Sequence, residues 1–457
     1  MPTTNDILAE WAWGLSLDQV PEKVVNSTVL RVVDIVGAML AGRDTELVNH
    51  LFDAYSSNSS GIQVVGTTDR YSPEDAALIK ATMGCVLEFD DSHVATGIHA
   101  STPIIATALS LGLQNCINGK LLIEAVLIGN ELSCRLALAA PGVFHHRGLH
   151  PTAMVAAFGC TYAAAKIVGV TTTELRNAIG IAGSMAAGIM ASWEDGTDAK
   201  SLHAGLSARA GLQAVHLARH HVTGPAAVFE GRFGFFRSHI QSDPIDFKAI
   251  TDELGKRWEI LNIASRPFPC GHYIQPYIDA ALELQRRERI KPEHIVSIQC
   301  PIPDYMIPLV CEPREEKLRP KTPWHARYSL QHCISEALST GGLDKYSCNQ
   351  EALADGRYSD LAAKVFGVPA ENNEPRTQWS GEVHIRLKNG TAWRHRIAHL
   401  RGTPQNPMNK AAIVEKFNRN ADGILTSRGI DLAIDALLTL EQSDNVSTML
   451  KPLSVLP

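Results

Sequence analysis

The sequence predicts a mainly α-helical protein with an α+β second domain: a large all-α helical bundle followed by a smaller α+β domain. Long apolar segments with helical periodicity fill the chain up to about residue 266. Those segments are rich in Ala, Gly and Ser, as in residues 180–188, and small residues allow helices to pack closely. Alternating, strand-like segments begin only after residue 266.

The N-terminal part is predicted to be helical almost throughout. Residues 6–43 carry two apolar faces at helical spacing, and a turn-rich break at 56–61 precedes a short extended segment at 62–65. The following long helices are predicted at residues 103–114, 119–139, 151–169, 173–190 and 204–220. Charged residues interrupt these helices, which favours a soluble bundle over a membrane bundle.

The α+β domain is predicted to span residues 268–400. Residues 296–300 and 382–387 alternate like strands, and the turn at 388–391 predicts a hairpin with residues 393–397. Helices are predicted at 274–287 and 329–338. From residue 409 the pattern is helical again, so we expect the bundle to comprise residues 1–267 and 401–457.

Composition excludes several classes of function. The net charge of -6 and the pI near 6.3 argue against a nucleic-acid partner. We find no secretory signal and expect no membrane segment, so we predict a cytoplasmic protein. The nine cysteines contain no Cys-x-x-Cys pair, which favours reduced thiols and no metal site. No phosphate loop or dinucleotide fingerprint is present.

An acidic loop at residues 84–102 is the first candidate site. It carries Glu88, Asp91, Ser92, His99 and Ser101 between two apolar helical segments. Carboxylates at the end of a helix oppose the helix dipole, which favours a functional role. The alternative is an acidic helix end followed by a Ser or Thr helix cap.

Three further polar clusters precede helices or lie at the domain junction. They supply His150, then Lys200 and His203, and finally Cys270 and His272. Each could be only a cap or a surface group. If the helix N-termini converge, they form an anion site in which Lys200 binds a carboxylate and histidines transfer protons at carbon. His99 and His150 are the predicted proton-transfer residues.

These clusters, in this order, resemble the MmgE/PrpD family, which contains 2-methylcitrate dehydratases, cis-aconitate decarboxylases and iminodisuccinate epimerases. The matching segments are residues 87–92 with 99–101, 149–152, 180–188, 200–205, 268–270, 402–407 and 416–417. The resemblance implies a helical domain built from both chain ends, an α+β lid domain, a homodimer and no cofactor. It also implies active-site roles for Glu88, Ser92, His99, His150 and Lys200, and for Tyr305 in the lid domain.

The sequence departs from the usual family pattern at Cys85, Glu88 and Ser92, where the family has His, Asp and Thr. The resemblance implies a cofactor-independent lyase for a small polycarboxylate, either a dehydratase or a decarboxylase, whereas the departures favour a reshaped pocket. Lys200 is predicted to bind a carboxylate or to donate a proton, and Glu88 and Asp91 to orient imidazoles. The predicted substrate-binding residues are Ser92, Ser101, His203, Cys270 and His272. An isomerase or epimerase of a di- or tricarboxylate, and a non-catalytic ligand-binding relative, are the alternatives.

Overall fold

A computed structural model describes residues 2–241, 244–371 and 379–454. Within them the chain is mainly helical with a small mixed sheet, so the predicted fold class is confirmed. The chain divides into two compact units. The first contains Met1–Val86, Asp90–Ile263 and Asn409–Pro457, and the second contains Leu87–Phe89 and Ala264–Met408. The predicted domain limits after residues 267 and 400 differ from these by four and eight residues, and residues 1, 242–243, 372–378 and 455–457 lie outside the described ranges.

The first unit is built from helices, with two short strand pairs at its margins. Its helices up to residue 263 are α1 (Thr4–Gly14), α2 (Glu22–Gly42), α3 (Glu46–Ala54), α4 (Pro73–Cys85), α5 (Ser101–Asn115), α6 (Gly119–Leu138), α7 (Val143–His146), α8 (Pro151–Val168), α9 (Thr172–Ala182), α10 (Ser192–Asp195), α11 (Ala199–Arg219), α12 (Phe235–Ile240) and α13 (Phe247–Thr251). The strands are β1 (Ile62–Gln63), β2 (Arg70–Tyr71), β3 (Ser92–His93) and, at the unit boundary, β4 (Ile263–Ala264).

Small residues bring the central helices of this unit into close contact. A Cβ added to Gly159 in α8 would lie 2.0 Å from Ser133 Oγ and 2.6 Å from the carbonyl oxygen of Gly129, both in α6. A Cβ on Gly211 in α11 would lie 2.5 Å from Cys160 Cβ in α8. Real Cβ atoms do not approach so closely, so glycine permits these crossings.

Two predicted helices have different limits in the structure. The helix predicted at 173–190 ends at Ala182, and a non-helical segment leads to α10. The helix predicted at 204–220 begins five residues earlier, at Ala199. Small residues at 183–188 fit a turn as well as a helix, and helical periodicity alone does not distinguish them. The early start of α11 places Lys200 in its first turn.

The second unit combines seven helices with a mixed sheet in its described residues. They are α14 (Gln275–Glu288), α15 (Ile307–Val310), α16 (Arg314–Leu318), α17 (Pro323–Arg327), α18 (Leu330–Thr340), α19 (Gln350–Ala354), α20 (Ser359–Ala362), β5 (Ile295–Ile302), β6 (Val365–Pro369), β7 (Gly381–Leu387) and β8 (Ala392–Ile397).

The sheet order is β6-β5-β7-β8. β5 runs parallel to β6 and antiparallel to β7, and β7 and β8 form the predicted hairpin. Helices α14 and α18 pack with this sheet around an apolar core that includes Ile278, Ile298 and Ile334. The short edge strand β6 was not predicted, because its Val-Phe-Gly-Val-Pro sequence is brief and interrupted by Gly.

The chain returns to the first unit with α21 (Lys410–Ala421), α22 (Ser427–Leu438) and α23 (Val446–Met449). Helix α21 packs on α2, where a Cβ on Gly37 would lie 3.2 Å from the Phe417 ring. Lys416 Nζ lies 2.7 Å from Asp34 Oδ1, and both side chains are buried. The two ends of the chain are thus joined in one hydrophobic and charged contact.

Two helices, α2 and α8, are long and apolar enough to span a membrane by length and composition alone. The sequence predicted helices in these segments but no membrane span. The most apolar windows of these two helices are 78% and 89% buried within the protein. Such burial is typical of core helices in a bundle.

Candidate active site

The loop between α4 and α5 holds His99 by its Nδ1 atom. This nitrogen lies 2.9 Å from the backbone oxygen of Asp91 and 2.9 Å from Ser92 Oγ. The backbone N–H of His99 donates to Thr152 Oγ1 at 2.9 Å, which ties the loop to the first turn of α8. His99 is therefore fixed at both its ring and its backbone.

The contact with Asp91 defines the tautomer of a neutral His99. A carbonyl oxygen only accepts hydrogen bonds, so Nδ1 must carry the proton and donate it. In the neutral ring, Nε2 then has the lone pair. An imidazole in this tautomer presents a basic nitrogen, as a proton-accepting residue requires.

His150 and His203 form a hydrogen-bonded pair beside His99. His150 is the N-cap of α8, and its Nδ1 lies 3.0 Å from Nδ1 of His203 in the second turn of α11. The rings of His99 and His150 are 6.0 Å apart between centroids. Since two lone pairs cannot share a hydrogen bond, one Nδ1 of the pair carries the proton and the other accepts it.

The electrostatic environment keeps this pair neutral. Burial and the charge of Lys200 lower the pKa of His150 well below its ordinary value, and His203, His99 and His145 add to the effect. Burial and Lys200 lower the pKa of His203 to about 4. Both imidazoles are uncharged at neutral pH. The named neighbours of His150 are all basic, so this cluster favours binding of an anion.

The four basic side chains of this cluster are almost closed to solvent. His99, His150 and His203 are each 5% exposed, and Lys200 is 3% exposed. Low exposure strengthens electrostatic interactions with a bound ligand because water screens them less. We call His99, His150, Lys200 and His203 the basic cluster. It lies within the first unit.

Asp91 differs from its predicted role. Its carboxylate belongs to a buried charged group with Arg31, whose Nη1 lies 3.9 Å from Asp91 Oδ2. Burial raises the pKa of Asp91, whereas Arg31 and Lys416 lower it. The backbone oxygen of Asp91, not its carboxylate, contacts the ring of His99. The charged group therefore anchors the loop, and the main chain orients the imidazole.

Ser101 and Ser92 occupy different surroundings. Ser92 bonds His99, as described above. Ser101 Oγ donates to Asn130 Oδ1 at 2.9 Å in α6, and it also interacts with the carboxyl group of Asp91. Neither the predicted Ser nor Thr caps α5, because this helix begins at Ser101 with Ala100 at its N-cap.

Glu88 is in the second unit, in a left-handed backbone conformation with φ of 53°. Its Oε2 accepts hydrogen bonds from Arg266 Nη1 at 3.0 Å and from the Tyr328 hydroxyl at 2.8 Å. The carboxylate, Arg266 and Tyr328 are all buried. These contacts describe a charged anchor, whereas the sequence analysis expected Glu88 to orient an imidazole.

The other predicted residues of the second unit fall into two environments. Tyr305 and His272 line a cavity of about 590 Å³, where the His272 ring stacks on Trp379 at 4.6 Å. Cys270 is fully buried in the apolar core, and its thiol interacts with that of Cys333. Its burial favours a structural role for this thiol.

Sequence reasoning missed several groups that support the basic cluster. Thr152 lies in the matching segment 149–152 but has no predicted role there, and the sequence gives no role to Arg31. Thr152 lies in the first turn of a helix, where a hydroxyl is usually explained as a cap, and Arg31 lies on a distant helix. The exposed pair His216 and His220 at the end of α11, with ring centroids 4.6 Å apart, also went unnoticed despite its i,i+4 spacing.

Comparison with known proteins agrees with the resemblance. The MmgE/PrpD N-terminal domain matches residues 6–248 and the MmgE/PrpD C-terminal domain matches residues 268–440. The chain belongs to the MmgE/PrpD family. Cis-aconitate decarboxylase of Mus musculus is 26% identical over 98% of this chain and 93% of its own length.

Two further relatives carry the same description over similar lengths. Cis-aconitate decarboxylase of Homo sapiens is 26% identical over 95% of this chain and 91% of its own length. The cis-aconitate decarboxylase-like protein oryM of Aspergillus oryzae is 23% identical over 98% of this chain and 96% of its own length. These relatives and the family support enzymatic activity.

Proposed function

We propose that this protein is a cofactor-independent lyase that decarboxylates a small polycarboxylate of the cis-aconitate class. The observation that carries the proposal is the basic cluster, in which three buried histidines lie side by side and the charge of buried Lys200 acts on two of them. The decarboxylase relatives favour this reaction over dehydration.

Lys200 is assigned to substrate binding. An ammonium group about 4 Å from a carboxylate gains roughly 4 kcal/mol at the effective dielectric constant of a protein surface, and more when water is excluded. The substrate carries several carboxylates, so one of them can bind Lys200 while another is lost. This places the reacting carbon beside the imidazoles.

The histidines are assigned to proton transfer. When the C–C bond to the departing carboxylate breaks, CO₂ leaves and the electron pair remains on carbon. A proton must then reach that carbon, and His150, hydrogen-bonded to His203, is the proposed donor. A bound polyanion raises the pKa of nearby imidazoles, so substrate binding increases the fraction of His150 that is protonated and able to donate to carbon.

The remaining site assignments are predictions, some from the family resemblance and the others from the polar clusters of the sequence. They concern Glu88, Tyr305, His272 and Cys270 in the second unit and Ser92, Ser101 and Asp91 in the first. The homodimer and the absence of a cofactor in the reaction are predictions from the family resemblance, and the cytoplasmic location is a separate prediction from the sequence. Single substitutions and size-exclusion chromatography test them one at a time.

The deciding experiment is NMR of the protein with cis-aconitate, citrate, 2-methylcitrate and iminodisuccinate in D₂O. We expect cis-aconitate to lose one carbon as CO₂ and to gain one deuterium at carbon. New olefinic signals from citrate or 2-methylcitrate would instead indicate a dehydratase. Deuterium exchange with scrambled stereochemistry would indicate an epimerase, and saturation transfer without turnover would indicate a binding protein.

A further inference from the structure

A histidine, a glutamate and a cysteine with almost no solvent exposure meet in the second unit. His332 and Glu336 lie one turn apart on α18, and Cys348 comes from the loop after this helix. Their exposed fractions are 4%, 3% and 0%. One nitrogen, one carboxylate oxygen and one sulfur lie within 4.8 Å of one another.

The contact between His332 and Glu336 has the spacing of two metal ligands. His332 Nε2 lies 3.2 Å from Glu336 Oε2, yet this buried nitrogen lacks a partner with hydrogen-bond geometry. In a tetrahedral zinc site the N and O ligands are about 2.0–2.2 Å from the ion, which separates them by roughly 3.4 Å. The observed distance is close to that value.

The surrounding backbone holds the carboxylate in place. The N–H of Cys348 donates to both carboxylate oxygens of Glu336, at 3.2 and 3.0 Å. Hydrogen bonds of this kind orient ligand side chains around metals. The thiol of Cys333 interacts with that of Cys348, so a second sulfur lies beside the three proposed ligands.

We propose that His332, Glu336 and Cys348 form a structural zinc site that links the loop at residues 341–348 to α18. The mixture of imidazole, thiolate and carboxylate ligands selects zinc over calcium or magnesium, which prefer oxygen ligands. Zinc binds a neutral imidazole and a thiolate, so protons on these groups leave as the ion binds.

The competing explanation is a buried imidazolium–carboxylate pair without metal. Burial by itself lowers the pKa of His332, but its interactions with Cys348 and Glu336 raise it to about 9. Both explanations require His332 and Glu336. Only the zinc site requires a thiolate, so a substitution of Cys348 distinguishes the two explanations.

The test measures zinc in the full-length protein after expression in zinc-supplemented medium and dialysis against metal-free buffer. We expect about one zinc per chain in the wild type and at least a tenfold loss in Cys348→Ser and His332→Gln. Cys300→Ser, which changes another buried thiol of the same unit, is the matched control and should retain zinc. Zinc retained in Cys348→Ser, or absent from the wild type, would overturn the proposal.

Cobalt substitution of the wild type gives a second readout that does not depend on the variants folding. We expect a thiolate-to-cobalt charge-transfer band in the near ultraviolet and a lower Tm after chelation. If the wild type binds no cobalt, or binds it without this band, the site is an ion pair and the zinc proposal is wrong. Neither result depends on the decarboxylase proposal, because these readouts do not involve turnover.

Discussion

His150 is the residue on which the proposed chemistry depends most directly. It occupies the N-cap position of α8, forms a hydrogen bond with His203 and lies beside His99. We expect His150→Gln to reduce kcat by about 10²- to 10⁴-fold, the usual contribution of a general acid or base, with little change in Tm. Steady-state decarboxylation of cis-aconitate measures this effect.

The matched control is His146→Gln, since His146 is exposed and four residues away along the chain. This variant should retain wild-type kcat. Wild-type activity in His150→Gln would remove His150 from the proton-transfer assignment, whatever the result with the control.

Ligand binding should depend on pH through the same residues. The pKa of His203 is about 4 without ligand, and a bound polyanion raises it. At pH values between the pKa of His203 in the free protein and its higher pKa in the complex, His203 is protonated only in the complex. The affinity for propane-1,2,3-tricarboxylate should therefore increase as the pH falls, by up to about tenfold per pH unit for each proton taken up.

Isothermal titration calorimetry in buffers of different ionisation enthalpy measures that proton uptake. His203→Asn should reduce the number of protons taken up. If the wild type binds the tricarboxylate without proton uptake, the basic cluster is not the binding site.

Among the properties of the helices, their close packing was predicted most directly, from the many small residues in the sequence. In Gly159→Ala the new methyl group would overlap Ser133 Oγ and the Gly129 backbone, so α6 and α8 would have to separate. Such overpacking typically costs about 1–3 kcal/mol. Chemical denaturation measures the loss. Gly14→Ala, at the end of α1 with no atom within 4 Å of the added Cβ, should change the stability much less.

Helix α4 carries a buried lysine that the chemistry does not use. Lys80 is fully buried with Ser110 Oγ at 3.2 Å, and burial lowers its pKa from 10.5 to about 7. At pH values between about 7 and 10.5, Lys80 is protonated in the unfolded chain but not in the folded chain. Stability should therefore increase as the pH rises through this range.

Lys80→Met removes this cost, and we expect a gain of about 4 kcal/mol near pH 7 with a weaker pH dependence between pH 7 and 10. Urea denaturation across this pH range measures both quantities. Lys120→Met, on the exposed first turn of α6, is the control and should leave the pH profile unchanged. A loss of stability in Lys80→Met would mean that the ammonium group has a favourable buried partner.

For the whole molecule, the sequence predicted the fold class and indicated three histidines that lie close together in the structure, but it did not predict the partners of the site carboxylates. Helical periodicity and the His-bearing helix starts are local signals, so they could be read from one segment. The carboxylate of Asp91 forms an ion pair with Arg31 in α2 and is affected by the charge of Lys416 in α21. Both residues are distant from Asp91 in the sequence. Glu88 binds Arg266 and Tyr328, which follow it by 178 and 240 residues in the sequence. Such pairings depend on tertiary structure, and spacing does not reveal them.

The contact between the two chain ends gives the last prediction. Lys416 and Asp34 form a buried ion pair, so Lys416→Met leaves an uncompensated carboxylate in the core. Breaking one side of such a pair typically costs about 3–5 kcal/mol, whereas replacing both partners is often nearly neutral. We expect Lys416→Met to lose this amount in urea denaturation and Asp34→Asn/Lys416→Met to recover most of it. Lys410→Met, exposed on the same helix, should match the wild type; a similarly small effect of Lys416→Met would show that this pair does not hold the chain ends together.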